Sequence, residues 1–368
     1  MPHATPLDPA YRGNNPRPTE ALHAWLARAL PEPVLDPRLP IVDAHHHLYG
    51  APGDTLYYRM EELGADLASG HAMLGTVYVE AYQAGWRTTG PQALRPVGEV
   101  ERIVQVTRTQ PLLAHGPCQV AAGIVSHVDL QLGDGVLPVL QAQQVAAEGR
   151  LRGVRHVASH DQGSVGGQVA HLPAAGLLAK ASWRQAVAQV GALGLSVDVC
   201  VYHHQLPEVL ALVDALPDVR FVLNHVGQVL GVAEHRRHRA SIYAGWLQQM
   251  RALAERPNVW LKVGGLGMPM SGFGFEYEER PATSAELSHA WQPLIDGSIE
   301  TFGPQRCMFE TNAPVDKQSA PYMQMWNAFK RCTRHLAEDE RRALFYRTAC
   351  TVYSLPELKA LGDGMTAA

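Results

Sequence analysis

The sequence has no apolar run near the ~18 residues that a membrane-spanning helix needs, so a membrane protein is not expected. It has no excess of one charge either: 31 Lys and Arg face 35 Asp and Glu, a formal net charge of -4. Without a basic block there is no electrostatic footprint for nucleic acid. No CxxC pair occurs, and Cys118, Cys200, Cys307, Cys332 and Cys350 are odd in number and far apart. That excludes a zinc knuckle and a disulfide framework, and it suits reduced thiols in a cytoplasmic protein. The opening MPHATPLDPAYRGNNPRP lacks the basic start and apolar stretch of a secretion signal. There is no internal repeat, low-complexity tract or linker.

What remains is a globular composition, 46% hydrophobic and 18% charged over 368 residues, enough for one large domain or two ordinary ones. Residues 1–38 read as a loose arm with one short helix, ALHAWLARAL (21–30), which PEPVLDPRLP ends. From Leu39 short β-branched runs alternate with helical stretches. The strand candidates are 40–44, 75–80, 119–125, 151–157, 195–202, 220–224, 259–263 and 306–310. Helical candidates fill the intervals, and two more, around 321–335 and 338–349, close the pattern. Alternation of this kind implies parallel strands joined by right-handed crossovers. Eight units predict a (β/α)8 TIM barrel, α/β in class, over residues 39–355, with C-terminal helices and a tail at 356–368. An open doubly wound sheet is the rival, but no Gly-rich phosphate loop follows the first strand.

In such a barrel the active site lies at the C-terminal ends of the strands. There the sequence places His45, His46 and His47, then Glu80, then His127 and Asp129, then Arg155 and His156. Later strands bring His203 and His204, Asn224 and His225, Lys262, and finally Glu310 with Asn312 beyond it. The chain has 18 histidines, and their concentration at strand ends carries the argument: imidazole with carboxylate suits zinc, manganese or iron. DAHHHL is the strongest local signal. In an extended chain residues i and i+2 point the same way, so His45 and His47 can chelate one ion while His46 points elsewhere. His203 is expected as a ligand, with His204 as its competitor, and His225 as a ligand or acid–base group. Glu80 and Glu310 sit in apolar strands and must be paired, hydrogen-bonded or metal-bound. For Glu80, a metal and an ion pair with Arg155 are equally open. Arg155 can clamp a substrate carboxylate or neutralise Glu80, and Lys262 reads as part of a barrel-interior charge network. Two loops rich in Gly and aromatics, 81–91 and 264–281, read as lids or pocket walls, or as subunit contacts that would make a homo-oligomer.

These residues resemble the amidohydrolase superfamily, in the branch of TIM-barrel metal-dependent hydrolases that includes sugar-acid and dicarboxylate lactonases. The resemblance covers about residues 38–355. It rests on IVDAHHHLYG, VYVEA, RPVGEVERI, LRGVRHVASHD, VYHHQLPEV, FVLNHVG, LKVGGLGMPMSGFGF and MFETNAPVDK. It implies a divalent metal on His45 and His47, with His203 and His225 matching the histidines of strands 5 and 6. It also implies water activated by metal or base to open a cyclic ester, with Arg155 and His156 holding a carboxylate. His204 and Asn312 join them as candidate substrate contacts. Many members carry an aspartate at the end of strand 8, in a pattern like MFGSDWP. This sequence reads MFETNAP, so neutral Asn312 stands there and Glu310 is the carboxylate on the same face that can take a proton. Members with a carbamylated lysine on strand 4 match poorly, because Arg155 lies in that region.

The expected function is therefore a metal-dependent hydrolase. Zinc or manganese would sit on His45, His47, His203 and Glu80, Glu310 or His225 would act as base, and the substrate would be a small anionic lactone. Two other readings stand beside it. One is a dinuclear iron or manganese hydroxylase that uses oxygen, with a non-oxidative decarboxylase as a lesser variant. The other is a non-catalytic paralogue within a heteromer.

Overall fold

The computed structural model describes residues 11–367 apart from positions 52, 82 and 170. The first ten residues of the expected N-terminal arm lie outside the described residues. Eight strands form one sheet: β1 Pro40–His46, β2 Ala72–Val79, β3 Gln119–His127, β4 Leu151–Arg155, β5 Ser196–Val199, β6 Phe221–Leu223, β7 Val259–Val263 and β8 Cys307–Phe309. All seven pairings are parallel and follow chain order. The strands are almost wholly buried, since helices cover one face and the barrel interior the other. A two-residue hairpin, 112–113 with 116–117, stands apart from the barrel.

β8 and β1 share no full ladder. The seam is closed just past the strands, where the His47 N–H donates to the Ala313 carbonyl at 2.8 Å. Asp43 completes it by accepting from the Thr311 backbone N–H at 3.0 Å and from its hydroxyl at 2.5 Å. Tyr322 donates a third bond to Asp43 at 3.0 Å.

The helices form for local reasons. In Ser284–Phe302, Thr283 caps the start by accepting from the Glu286 N–H, and Glu286 answers by accepting from the Thr283 N–H. Leu287, Trp291, Leu294, Ile295, Ile299 and Phe302 fall on one buried face at helical spacing. Each such apolar side chain contributes roughly 1.5–3 kcal/mol when fully buried. Gly303, at φ 77°, ends the helix in a conformation that other residues adopt at a cost.

The C-terminal segment differs from the expected tail. Pro356–Ala367 is a helix. Pro356 opens it, where the missing N–H costs nothing, and Leu358 is buried against the barrel. Leu358, Leu355, Tyr353, Cys350 and Tyr346 form one cluster with Val42, Ala44, Val77, Val125, Val222 and Met308. The helices after β8 thus pack against the barrel strands. Another cluster comes from the loops that follow the strands: Val165, Tyr202, Leu230, Val232, Met268 and Met270, flanked by Tyr11 and Val315. The Met-rich loop 264–281 is therefore a packed plug. No helix among the described residues is long and apolar enough to cross a membrane.

Candidate active site

A register irregularity between Asp43 and His46 bends the end of β1. His45 and His47 face each other there, with their Nε2 atoms 3.2 Å apart. His46 turns away, to the Thr76 hydroxyl at 2.8 Å and the edge of Tyr78. Burial, reinforced by Lys262 for His45 and by Arg155 for His47, holds both facing imidazoles well below the ordinary histidine range. They are neutral, as metal ligands must be.

The proton positions follow from the partners. Nδ1–H of His47 donates to the Val79 carbonyl at 2.9 Å, so its Nε2 is a bare lone pair. Nη1 of Arg155 lies 3.2 Å from Nε2 of His45 and assigns that nitrogen as an acceptor too. Oδ1 of Asn312 lies 3.2 Å from Nε2 of His47, while its amide group donates to Asp316 at 2.8 Å. Three acceptors therefore converge, and the one proton-bearing group that reaches them is the Arg155 guanidinium at His45 Nε2. Two imidazole nitrogens bound at ~2.0–2.1 Å to one tetrahedral zinc are held at about this separation. The donor set fits a divalent cation.

Glu310 lies just past β8, inside the barrel and fully buried. Its Oε1 accepts from His225 Nδ1 at 2.7 Å and from the His225 backbone N–H at 3.1 Å. Its Oε2 lies 2.7 Å from His45 Nδ1 but makes no aligned hydrogen bond. With Nε2 an acceptor, neutral His45 carries its proton on Nδ1, so this oxygen faces an N–H that is close but poorly aligned. His45, His225 and Glu310 each offer a ligand atom, all within 4.8 Å of one another. His225 reaches this place through an unusual backbone: it and Val226 have φ of 54° and 49°. Gly264 and Gly265 form the wall behind the pair. A Cβ on Gly264 would lie 2.4 Å from Glu310 Cγ, and one on Gly265 would lie 2.5 Å from the His225 side chain.

Two buried ion pairs flank the centre. Arg155 donates through Nε to Glu80 Oε1 and through Nη2 to the Glu80 carbonyl, both at 2.7 Å. Burial opposes the Arg155 charge, but Glu80 outweighs it and raises the guanidinium pKa. Of the two roles open for Glu80, the ion pair is the one these contacts display: Glu80 is not in the ligand group around Glu310. Lys262 pairs with Asp198 at 2.8 Å, and Asp198 also accepts from Asn224 and Tyr353. This is the interior charge network expected for Lys262.

Other expected site residues lie elsewhere. β5 stops at Val199, four residues before His203, and the chain then turns outward at His203–Gln205. His203 accepts from the Leu230 N–H and packs against His204 and His235 rather than joining His45. His225, expected as a ligand or an acid–base group, lies beside His45 and Glu310 in the group that could hold an ion. His204 is exposed and bonded to the His160 carbonyl, so it too sits on the rim. His156 accepts from the Leu130 N–H and stacks on Trp183. Asp161, Glu234 and His235 form a second group of potential ligands on the rim. Sequence reading passed over Cys200, which follows β5 and lies close enough to Arg155, Glu80 and Glu310 for their charges to act on it. Its thiol is pushed up by burial, so it is protonated and inert.

Residues 42–355 match the amidohydrolase family model. The L-fucono-1,5-lactonase of Burkholderia multivorans is 33% identical over 178 residues, 48% of this chain and 57% of that protein. The uncharacterized protein y4mH of Sinorhizobium fredii is 36% identical over 171 residues, 46% of this chain and 51% of that one. The chain spans about half the length of the curated relatives it matches. A solved amidohydrolase from Burkholderia multivorans, with bound zinc, overlays at a TM-score of 0.63 and 24% identity, covering 86% of this chain and 99% of that one. A 5-carboxyvanillate decarboxylase from Novosphingobium aromaticivorans, complexed with manganese, overlays at 0.52 and 9% identity, covering 87% and 97%. Both overlays show the barrel fold.

Proposed function

The chain belongs to the amidohydrolase family, and on that premise we propose that it is a metal-dependent hydrolase that opens a lactone or similar cyclic ester bearing a carboxylate. The observation that carries the proposal is Glu310, buried between His45 and His225 with one oxygen lacking an aligned hydrogen bond. It stands where a proton can be taken from attacking water, a task neutral Asn312 cannot perform. His225 holds the other oxygen through its Nδ1–H, and Glu310 itself returns the proton it took to the leaving alcohol. A divalent cation on His45 and His47 supplies the Lewis acidity that lowers the pKa of water. The zinc- and manganese-bound neighbours and the lactonase relative support this choice of cofactor and bond. Arg155, next to His45, supplies fixed positive charge for the substrate carboxylate, and Glu80 holds it in position.

A second reading has its own observation. Nη1 of Arg155 lies 3.2 Å from His45 Nε2, where a cation would have to displace it. Left in place, the guanidinium can itself polarise the ester carbonyl, giving a metal-free lactonase. Elemental analysis of the purified protein, followed by a screen of carboxylated lactones with and without chelator, separates the two. About one zinc or manganese per chain with chelator-sensitive turnover supports the first reading. Turnover without metal supports the second. No lactone turnover with metal bound rejects both.

A further inference from the structure

One half of the barrel mouth is sealed by the plug of Tyr202, Leu230, Met268 and Met270. The other half, over the ends of β2, β3 and β4, holds two adjoining cavities of about 480 and 470 Å3 that share Gln131 and His156. Four rings run in series along them. Trp86 to His127 is 5.1 Å between centroids, His127 to His156 is 5.0 Å, and His156 to Trp183 is 4.7 Å. These are the separations at which aromatic groups attract beyond simple burial.

The rings are held before any ligand arrives. Trp86 donates its Nε1–H to Glu99 at 3.0 Å, and His156 is fixed by the Leu130 N–H. Trp86, His127 and His156 all line the first cavity. Its inner end leads towards the centre. His127 is the register partner of Arg155, and Arg155 reaches His45.

The chemistry of the walls selects the ligand. Among the described residues neither cavity is lined by Lys or Arg, and Asp129 lies at the first. Burial keeps His127 and His156 neutral at ordinary pH. No Lys or Arg on the cavity walls favours an anion here. The second cavity is mostly apolar, lined by Val157, Val169, Leu172, Pro173 and Leu177.

We propose that this cleft is a subsite for an uncharged planar aromatic ring, so that the substrate is an aryl-bearing ester or lactone with its ring packed against the wall that Trp86, His127 and His156 form. A ring hydroxyl would donate to Asp129. The inference rests on the hydrolase reading for the position of the scissile bond, but ring binding is independent of turnover.

Calorimetry on the full chain tests it, with 2-naphthol as the planar probe and decahydro-2-naphthol as its saturated counterpart. Stacking of this strength predicts that the planar probe binds about tenfold more tightly. Trp86→Leu should weaken naphthol binding by about tenfold, and Trp86→Phe should restore most of it. Trp86 is only half-buried, so both variants should fold, and a thermal melt checks this. Equal binding of the two probes overturns the subsite, as does an unchanged affinity in a folded Trp86→Leu protein. Tighter binding of methyl β-D-galactopyranoside than of naphthol overturns it in favour of a sugar site. Ring binding without lactone turnover would reject the hydrolase reading and leave the subsite standing.

Discussion

Nε2 of His47 and Oδ1 of Asn312 lie 3.2 Å apart, both as acceptors. The His47 proton is committed to Val79, and the Asn312 amide to Asp316. Lone pairs facing each other in a dry interior repel, so the contact is relieved when a cation enters. Asn312→Asp tests this. The substitution removes the donor to Asp316, a carboxyl already pushed up by burial. Without metal it should cost about 1–3 kcal/mol, the usual penalty for a broken buried hydrogen bond. With zinc in excess the loss should shrink or reverse, because carboxylate is the stronger ligand. Melting of both proteins in chelator and in zinc decides it. An equal loss in the two conditions would remove Asn312 from the metal site.

Glu310→Gln keeps the shape of the side chain and removes its basicity. Turnover of a lactone substrate should fall roughly 100- to 10,000-fold, the range for loss of a general base. The melting temperature should change little in comparison. Retention of more than about a tenth of the activity would assign the base elsewhere, with His225 the next candidate.

Eight strands were legible because strands buried on both faces read as β-branched runs between turns. β5 was read too long. Val201 and Tyr202 are apolar because they are buried in and beside the loop plug, and they imitate a continuing strand. That three-residue overrun carried His203 to a strand end it does not occupy and hid Cys200, which carries no pattern of its own. His45 and His47 were legible from their spacing alone. Glu310 and His225 were legible as residues, but their contact comes from the barrel closing and leaves no trace in either local sequence. The last helix was missed because Gly362 and Gly364 dilute its pattern, and Leu358 is what anchors it.

Asp43 gives a pH signature to the barrel seam. Burial pushes its carboxyl up to about 6, against the hydrogen bonds from Thr311, His45 and Tyr322. The folded pKa then exceeds the unfolded one of 3.8, so the folded state binds the proton more tightly. This stabilisation is present below about pH 4 and is lost as pH rises through 6. Two pK units set its ceiling at about 3 kcal/mol. Asp43→Asn should flatten the stability profile between those pH values. It should also weaken the seam at every pH, since its amide group would meet a Thr311 donor. A variant with the wild-type slope would show that Asp43 is ionised in the fold throughout.

Chelation is the most direct test of the centre. A cation that binds the folded chain but not the unfolded one adds about 2.7 kcal/mol at a hundredfold excess over its Kd. For a chain of this size that corresponds to a rise of several degrees in melting temperature. His45→Asn should abolish the rise if the cation sits on the facing imidazoles, because Nε2 of His45 is one of the two imidazole nitrogens that would hold it. The rim group offers an internal control. His235→Ala removes a ligand beside Asp161 and Glu234, a group that shares no residue with the Glu310 centre. If the rise survives His45→Asn and disappears in His235→Ala, the metal belongs to the rim. The barrel centre would then work through Arg155 alone. If it disappears only in His45→Asn, the facing histidines hold the cation, and Arg155 must swing off His45 Nε2 to admit it.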